Sequence, residues 1–489
     1  MRLPGLLGLA LVCLTFIPLM SCRTSSHKSA DAEVKSQDAG KSASFVKANG
    51  IEFELDGKPF RFQGTNFYRL ALTDRQYTDE EIGDIMQKYA DAGIQVLRFW
   101  GFSCDTPKEW EAEGVTRGGI TRVPILDRSG KVQEEALVQV DRVLAQAAKK
   151  GIKVIYPLVN FEHEYCGMEW WNHVYGNKKE SKQGFYCNDK VRTAFKDYVA
   201  NLLKRRNTVS GVAYKDDPTI LAIELANEPH TEDNYETKGS VDESCKSFAD
   251  GKPGTIVHKW LKEMSEHVRS VDANHMISTG EEGYRTSGDT SKHSWIHNGM
   301  KGVDFERNLQ LPLISFATVH LYPDNSDIPR SDFHSWYVPQ VIADRARIAH
   351  RYGKPIVLEE TGFGELTSDT SSYMNKVRST GYAAERPKWI GEMYKAAFDA
   401  KYAGTMIWQV VPTNKNGSAY DDDLFTFSIK DKDMAAIRDQ IARLKGESPA
   451  TPPAEGEIPW CRDASTDADA QGVKDGWGFE DGRSCRVRP

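Results

Sequence analysis

Eight short apolar runs recur along the chain: "FRFQGTNFY" (60–68), "IQVLRFW" (94–100), "IKVIYPLVN" (152–160), "TILAIELANE" (219–228), "HMISTGEE" (275–282), "ISFATVHLY" (314–322), "PIVLEETG" (355–362) and "GTMIWQV" (404–410). Each is short, near-continuous in apolar residues and rich in β-branched and aromatic side chains. That pattern fits a strand buried on both faces rather than an amphipathic helix. Between them lie longer segments with helical periodicity, among them "DEEIGDIMQKYADAG" (79–93), "VRTAFKDYVANLLKRRN" (191–207) and "GTIVHKWLKEMSEHVRSVD" (254–272). Several of the helical segments run into a glycine suited to a left-handed helix terminus. Eight strands alternating with helices over nearly four hundred residues predict a (β/α)8 TIM barrel, of α/β class.

The ends of the chain break this pattern. "MRLPGLLGLALVCLTFIPLMSC" (1–22) has Arg2, then an apolar stretch, then small Ser21 before Cys22. It reads as an export signal. Its ending resembles a bacterial lipobox, which makes Cys22 a lipidation site and the membrane a partner through that anchor. Arg23 after the cysteine favours an outer-membrane or cell-surface address over inner-membrane retention, with simple secretion as the alternative. Residues 23–47 are mostly Ser, Ala, Lys and Asp and read as a flexible tether. The catalytic-sized domain then spans 48–445, a Pro-rich linker 446–459, and a small C-terminal piece 460–489.

Composition adds little and excludes one class. The chain has 489 residues, and a net charge of −7 gives no reason to expect nucleic acid as a partner. Eleven Trp and nineteen Tyr exceed what one core needs, and such rings stack well on sugars. Of eight Cys, Cys13 and Cys22 belong to the signal, and the six that remain suggest disulfides in an exported protein. Loop proximity favours Cys104–Cys166 and Cys187–Cys245, and a Cys461–Cys485 staple would close the coreless tail. No C-x-x-C pair with a His cluster is present, so neither metal nor cofactor is implied.

The candidate chemistry sits where strands end. Glu228 closes the fourth run behind Asn227 and ahead of Pro229, a position where a barrel displays its chemistry and a structural role is hard to assign. A partner carboxylate lies near the end of the seventh run, in Glu359-Glu360. Strand alternation points these two to opposite sides, so only one faces the mouth. Two carboxyls on the ends of strands four and seven, about 5 Å apart, are the equipment of a retaining glycosidase. Arg98, ending the second run, needs a buried anion, and the nucleophile is a natural one. His320 and Tyr322 alternate onto one face of the sixth run.

These motifs resemble glycoside hydrolase family 5 and, within it, the β-mannanases. The resemblance runs from "FQGTNFY" to "MIWQ" and is dense between 152 and 230, where "GVAYKDDPTILAIELANEP" looks like the stretch leading to the family's acid/base. "VLRFWGF", "ISFATVHLYPD" and "GKPIVLEETG" look like its other strand ends. It implies Glu228 as acid/base and Glu360 as nucleophile, although Thr361 stands where the family carries an aromatic residue. It also implies substrate contacts from Arg98, Asn227, His320, Tyr322 and Trp408, with Trp408 as the stacking platform at the cleavage point. Trp100 shares the face of Arg98, and Trp171 lies in the long third loop, in a region the mannanases use for substrate. The tail "DGWGFEDGRSC" resembles the small carbohydrate-binding modules of family 10, with Trp477 and Phe479 as its aromatic face.

The expectation is an exported, monomeric, retaining endo-acting hydrolase of β-1,4-mannosidic bonds in mannan, galactomannan or glucomannan. Two alternatives stay open: a β-1,4-glucanase of the same family, and a catalytically inactive polysaccharide-binding surface lipoprotein.

Overall fold

The computed structural model describes residues 44–447 apart from 109, 111–122, 233–234, 238–240, 366–370, 414–422 and 430–433, together with the backbone of Trp477–Glu480 and Arg483–Arg486. A three-stranded antiparallel sheet comes first: β1 (Lys47–Asn49), β2 (Glu52–Leu55) and β3 (Lys58–Phe60). Eight parallel strands follow, one from each predicted run: β4 (Phe62–Asn66), β5 (Val96–Arg98), β6 (Lys153–Pro157), β7 (Ile220–Glu224), β8 (Met276–Ser278), β9 (Ala317–Leu321), β10 (Ile356–Thr361) and β11 (Gly404–Ile407). Their hydrogen-bonded order is β8-β7-β6-β5-β4-β11-β10-β9. The remaining gap between β8 and β9 is spanned through Ser315, whose N–H donates to the Ile277 carbonyl at 2.8 Å and whose Oγ accepts from the Ile277 N–H at 3.1 Å. The ring is thereby closed as a (β/α)8 barrel.

The strands hold because nearly all their residues are buried, on one side by each other and on the other by helices. The helix Asp79–Asp91 shows how the local sequence sets an element. Thr78 caps it, and a reciprocal bond runs from the Thr78 N–H to Glu81. Ile82, Ile85, Met86 and Tyr89 line its buried face. Gly93, one residue past the helix C-cap, has a φ of +80° and turns the chain toward β5.

The amino-terminal end of the barrel is sealed. Phe53 of β2 packs edge-on against Phe316 at 5.2 Å and beside Phe62 at 6.0 Å. Val46 is fully buried in the same cluster. The folded unit therefore begins by Ser44, a few residues inside the segment expected to be tether. Sealing one end leaves the carboxyl ends of the strands as the open face.

Cys187 and Cys245 form a disulfide, as expected. Cys104 and Cys166 do not: both are buried free thiols, hydrogen-bonded to one another. Their loops do meet, but the pair is satisfied by an S–H contact instead of an S–S bond. In the tail, Trp477–Glu480 pairs antiparallel with Arg483–Arg486, placing Gly478 opposite Cys485. The signal segment, Cys22, residues 448–459 of the linker and Cys461, one half of the expected Cys461–Cys485 staple, lie outside the described residues. Among the described residues no helix is long and apolar enough to cross a membrane.

Candidate active site

The site is assembled from strand ends, and the turn after β7 is its most constrained part. Glu228 has a φ of +50°, in the left-handed region that a non-glycine residue seldom adopts. Neighbouring loops hold it there. Its N–H donates to the Gly280 carbonyl at 2.8 Å, the Asn227 N–H donates to Val159 O at 2.7 Å, and the Phe161 N–H donates to Asn227 O at 3.0 Å. Gly280 cannot carry a side chain, because a Cβ there would lie 1.9 Å from Ala226 O and 2.5 Å from a Glu224 oxygen. The proline and amide around Glu228 thus belong to a turn that presents one carboxylate to the cavity.

Arg98 lies beneath, fully buried, and spends its donors on four partners. Nε and Nη2 form a fork on Glu224 at 3.0 and 2.8 Å. Nη1 reaches Glu360 Oε1 at 2.5 Å and Asn66 Oδ1 at 3.0 Å, and Nη2 also reaches Asn227 Oδ1 at 2.6 Å. The expected link from Arg98 to Glu360 is present, but the bidentate partner is Glu224, which sequence reasoning passed over as part of a strand. Asn227 donates from Nδ2 to Asn160 at 3.0 Å, so its amide is fixed on both sides.

Strand alternation fails at Glu359-Glu360. The pairing of β10 with β9 slips between Leu358 and Glu360. Such a bulge re-aims side chains, and here both carboxyls point into the barrel. Glu360 lines the cavity, receiving Tyr322 OH at 2.8 Å as well as Arg98. Glu359 sits deeper, fully buried, against His320 Nε2 at 3.1 Å. The other imidazole nitrogen, Nδ1, lies 2.9 Å from Glu228 Oε1 and 3.5 Å from Glu360 Oε1. Glu228, His320 and Glu360 bring one side-chain N or O atom each to within 4.8 Å of one another.

The electrostatics follow from burial and these contacts. Burial works to lower the His320 imidazole, but Glu360, Glu228 and Glu359 hold it well above the usual range. Burial works to raise Glu228, yet the hydrogen bond and charge of His320 outweigh it, and the carboxyl lies below its ordinary value. Burial pushes Glu360 up, helped by the charge of Glu228, against His320, Arg98 and Tyr322. Burial also pushes Glu224 up to about 8, opposed by Arg98 and reinforced by Glu359. Glu228, His320, Glu359 and Glu360 therefore titrate as one coupled cluster.

The cavity above the carboxylates measures about 390 Å³. Trp408 lines it, stacked on Tyr68 at 5.2 Å with its indole N–H on Asp423 at 3.0 Å. Trp100 lines the same wall and covers Arg98 at 4.8 Å. Trp171 does not reach the cavity. It is fully buried in the helix Met168–Tyr175, packed on Tyr175, Phe195 and Phe185, because its loop folds into a helix whose apolar face turns inward. Tyr68, Tyr165, Glu282 and Phe425 line the cavity without having been singled out from the sequence. Tyr68 and Glu282 each end one of the eight strand runs, and that placement was the available signal.

The family described as GH family 5 beta-mannosidase-like matches residues 43–409, and the chain belongs to it. Mannan endo-1,4-beta-mannosidase 1 of Oryza sativa subsp. japonica is 31% identical over 423 residues, covering 84% of each chain. A probable mannan endo-1,4-beta-mannosidase A of Aspergillus oryzae is 28% identical, covering 82% of this chain and 88% of that one. Among solved structures, the endo-1,4-beta-mannanase from Rhizomucor miehei superimposes with a TM-score of 0.64 at 28% identity, over 83% of this chain and all of that one.

Proposed function

We propose that the chain is a retaining endo-β-1,4-mannanase acting on mannan, galactomannan or glucomannan. The observation that carries this reading is the approach of Glu228 and Glu360 to within 4.8 Å across an aromatic-walled cavity. That approach fits the short carboxyl separation of retaining glycosidases rather than the wider one of inverting enzymes. Glu360, oriented by Arg98 and Tyr322, attacks the anomeric carbon and forms a glycosyl ester. Glu228 protonates the departing glycosidic oxygen. It then takes a proton from the water that cleaves the ester, restoring both groups. Trp408 offers a face to the sugar ring, and Asn227, held by Arg98 and Asn160, is oriented to meet a sugar hydroxyl.

The same reading extends to the ends of the chain. Residues 1–22 act as a lipoprotein signal, Cys22 carries lipid, and the catalytic unit works as a monomer on a short tether at the cell surface. Residues 446–459 link it to a sugar-binding tail carrying Trp477 and Phe479. The sequence motifs support this division.

Reducing-sugar release from mannan, galactomannan, glucomannan and carboxymethylcellulose in parallel tests the assignment. Activity is expected on the mannans, and Glu228→Gln or Glu360→Gln should each lower it roughly a thousandfold or more. Preference for carboxymethylcellulose would point to a glucanase, and no activity on any polymer to a binding protein.

A further inference from the structure

Glu359 has no place in the two-carboxylate scheme, yet it is buried at some cost. It shares a side-chain hydrogen bond with Glu224, whose own carboxyl is pushed up to about 8, and its Oε2 lies 3.9 Å from Arg98 Nε. Its Oε2 meets His320 Nε2 at 3.1 Å, while His320 Nδ1 meets Glu228 Oε1 at 2.9 Å. Both imidazole nitrogens thus face carboxyl oxygens, and a ring that donates to both is an imidazolium. The charged groups around it are Arg98 from β5, Glu224 and Glu228 from β7 and its turn, Glu282 after β8, and Glu359 and Glu360 from β10; Tyr322 stands two residues along β9. The bulge in β10 places Glu359 on this ring instead of on the outer face.

Resting on the mannanase reading above, we propose that Glu359 is a positioning residue that keeps His320 doubly protonated, so that His320 holds the proton which Glu228 delivers to the leaving group. In the resting site the proton lies on Nδ1 and Glu228 is a carboxylate. When the glycosidic oxygen comes within reach, the Nδ1–H bond breaks, the Glu228 O–H bond forms, and that proton passes to the leaving oxygen. The water used in the second step returns one proton to Glu228, and His320 recovers it. The cycle conserves protons and needs no other reagent. It also accounts for a Glu228 held below its ordinary pKa in an enzyme that needs an acid.

The sign of the test follows from charge. Removing the negative charge of Glu359 lets the proton shared by His320 and Glu228 leave more easily. The alkaline limb of kcat/KM against pH, measured on mannohexaose, should therefore move to lower pH in Glu359→Gln, on the order of one unit for a charge in direct contact. KM should change little, and Glu359→Asp should restore much of the limb. Nitrogen NMR of 15N-imidazole-labelled enzyme, assigned with His320→Gln, gives a readout that needs no substrate. Wild-type His320 should carry both protons from pH 5 to 8, and in Glu359→Gln it should lose one within that window. A wild-type His320 that is neutral at pH 6, or a Glu359→Gln enzyme with lower kcat and an unmoved limb, overturns the proposal. If Glu359→Gln does not fold, the wild-type spectrum alone decides. An imidazolium in a protein inactive on mannan would remove the functional reading while leaving the role of Glu359 in protonating His320 intact.

Discussion

His230 shows how closely stability and chemistry are joined at single residues in this site. It follows the Glu228 turn, with Nδ1 3.0 Å from Glu228 O and its ring 3.8 Å from that of Phe161. Burial, aided by the charge of Lys301 and opposed by Glu228, pushes its imidazole down to about 3. Its neighbour Glu282 is pushed up to about 8 by burial and the charge of Glu228, so Glu282 adds little to that opposition. The folded protein thus keeps His230 neutral down to about 3, while the unfolded chain binds a proton there near pH 6.5. Stability should fall as pH drops through that window, by about 2 kcal/mol at pH 4.5 from this group alone. Denaturant unfolding at pH 6.5 and 4.5 should show a smaller loss in His230→Gln than in wild type. Equal losses would place the acid sensitivity at other groups.

At the scale of elements, the eight strands were legible because each is a continuous buried run, and the flanking helices because their periodicity and glycine stops agree. Glu228, His320 and Tyr322 were legible for the same reason: they sit on ends that the runs define. What escaped was whatever breaks a period. The β10 bulge turns adjacent Glu359 and Glu360 to one side, a two-versus-one pairing that alternation cannot foresee. Glu224 lies inside a strand run with no mark of its own, and only the fold brings Arg98 to it. Trp171 lies in a stretch that reads as loop, but a helix buries it. The Cys187–Cys245 bond links the segment before the helix Asp189–Lys204 to the loop after β7, across 58 residues. It anchors Tyr186, whose hydroxyl donates to the His230 carbonyl at 2.9 Å and so supports the Glu228 turn. Closing a loop of that length is worth about 4 kcal/mol in the chain-entropy account. A Cys187→Ser/Cys245→Ser variant should lose stability of that order in guanidinium unfolding; a loss under about 1 kcal/mol would mean the loops are held by packing alone.

For the whole molecule, the barrel supplies a sealed base and a reactive mouth, and the proposed tether and tail would govern which polymer reaches it. Deleting residues 446–489 should leave hydrolysis of short mannooligosaccharides almost unchanged and lower it on insoluble mannan, through loss of local concentration. Equal rates on insoluble mannan with and without the tail would make it an inert appendage. The central claim is the double displacement through Glu360 and Glu228, which lie within 4.8 Å of one another. Its most direct test is the anomeric configuration of the first product, followed by proton NMR during the opening minutes of mannohexaose hydrolysis, before mutarotation. The account predicts the β anomer first, with the α anomer growing in only by mutarotation; an initial α product would mean inversion and would contradict it.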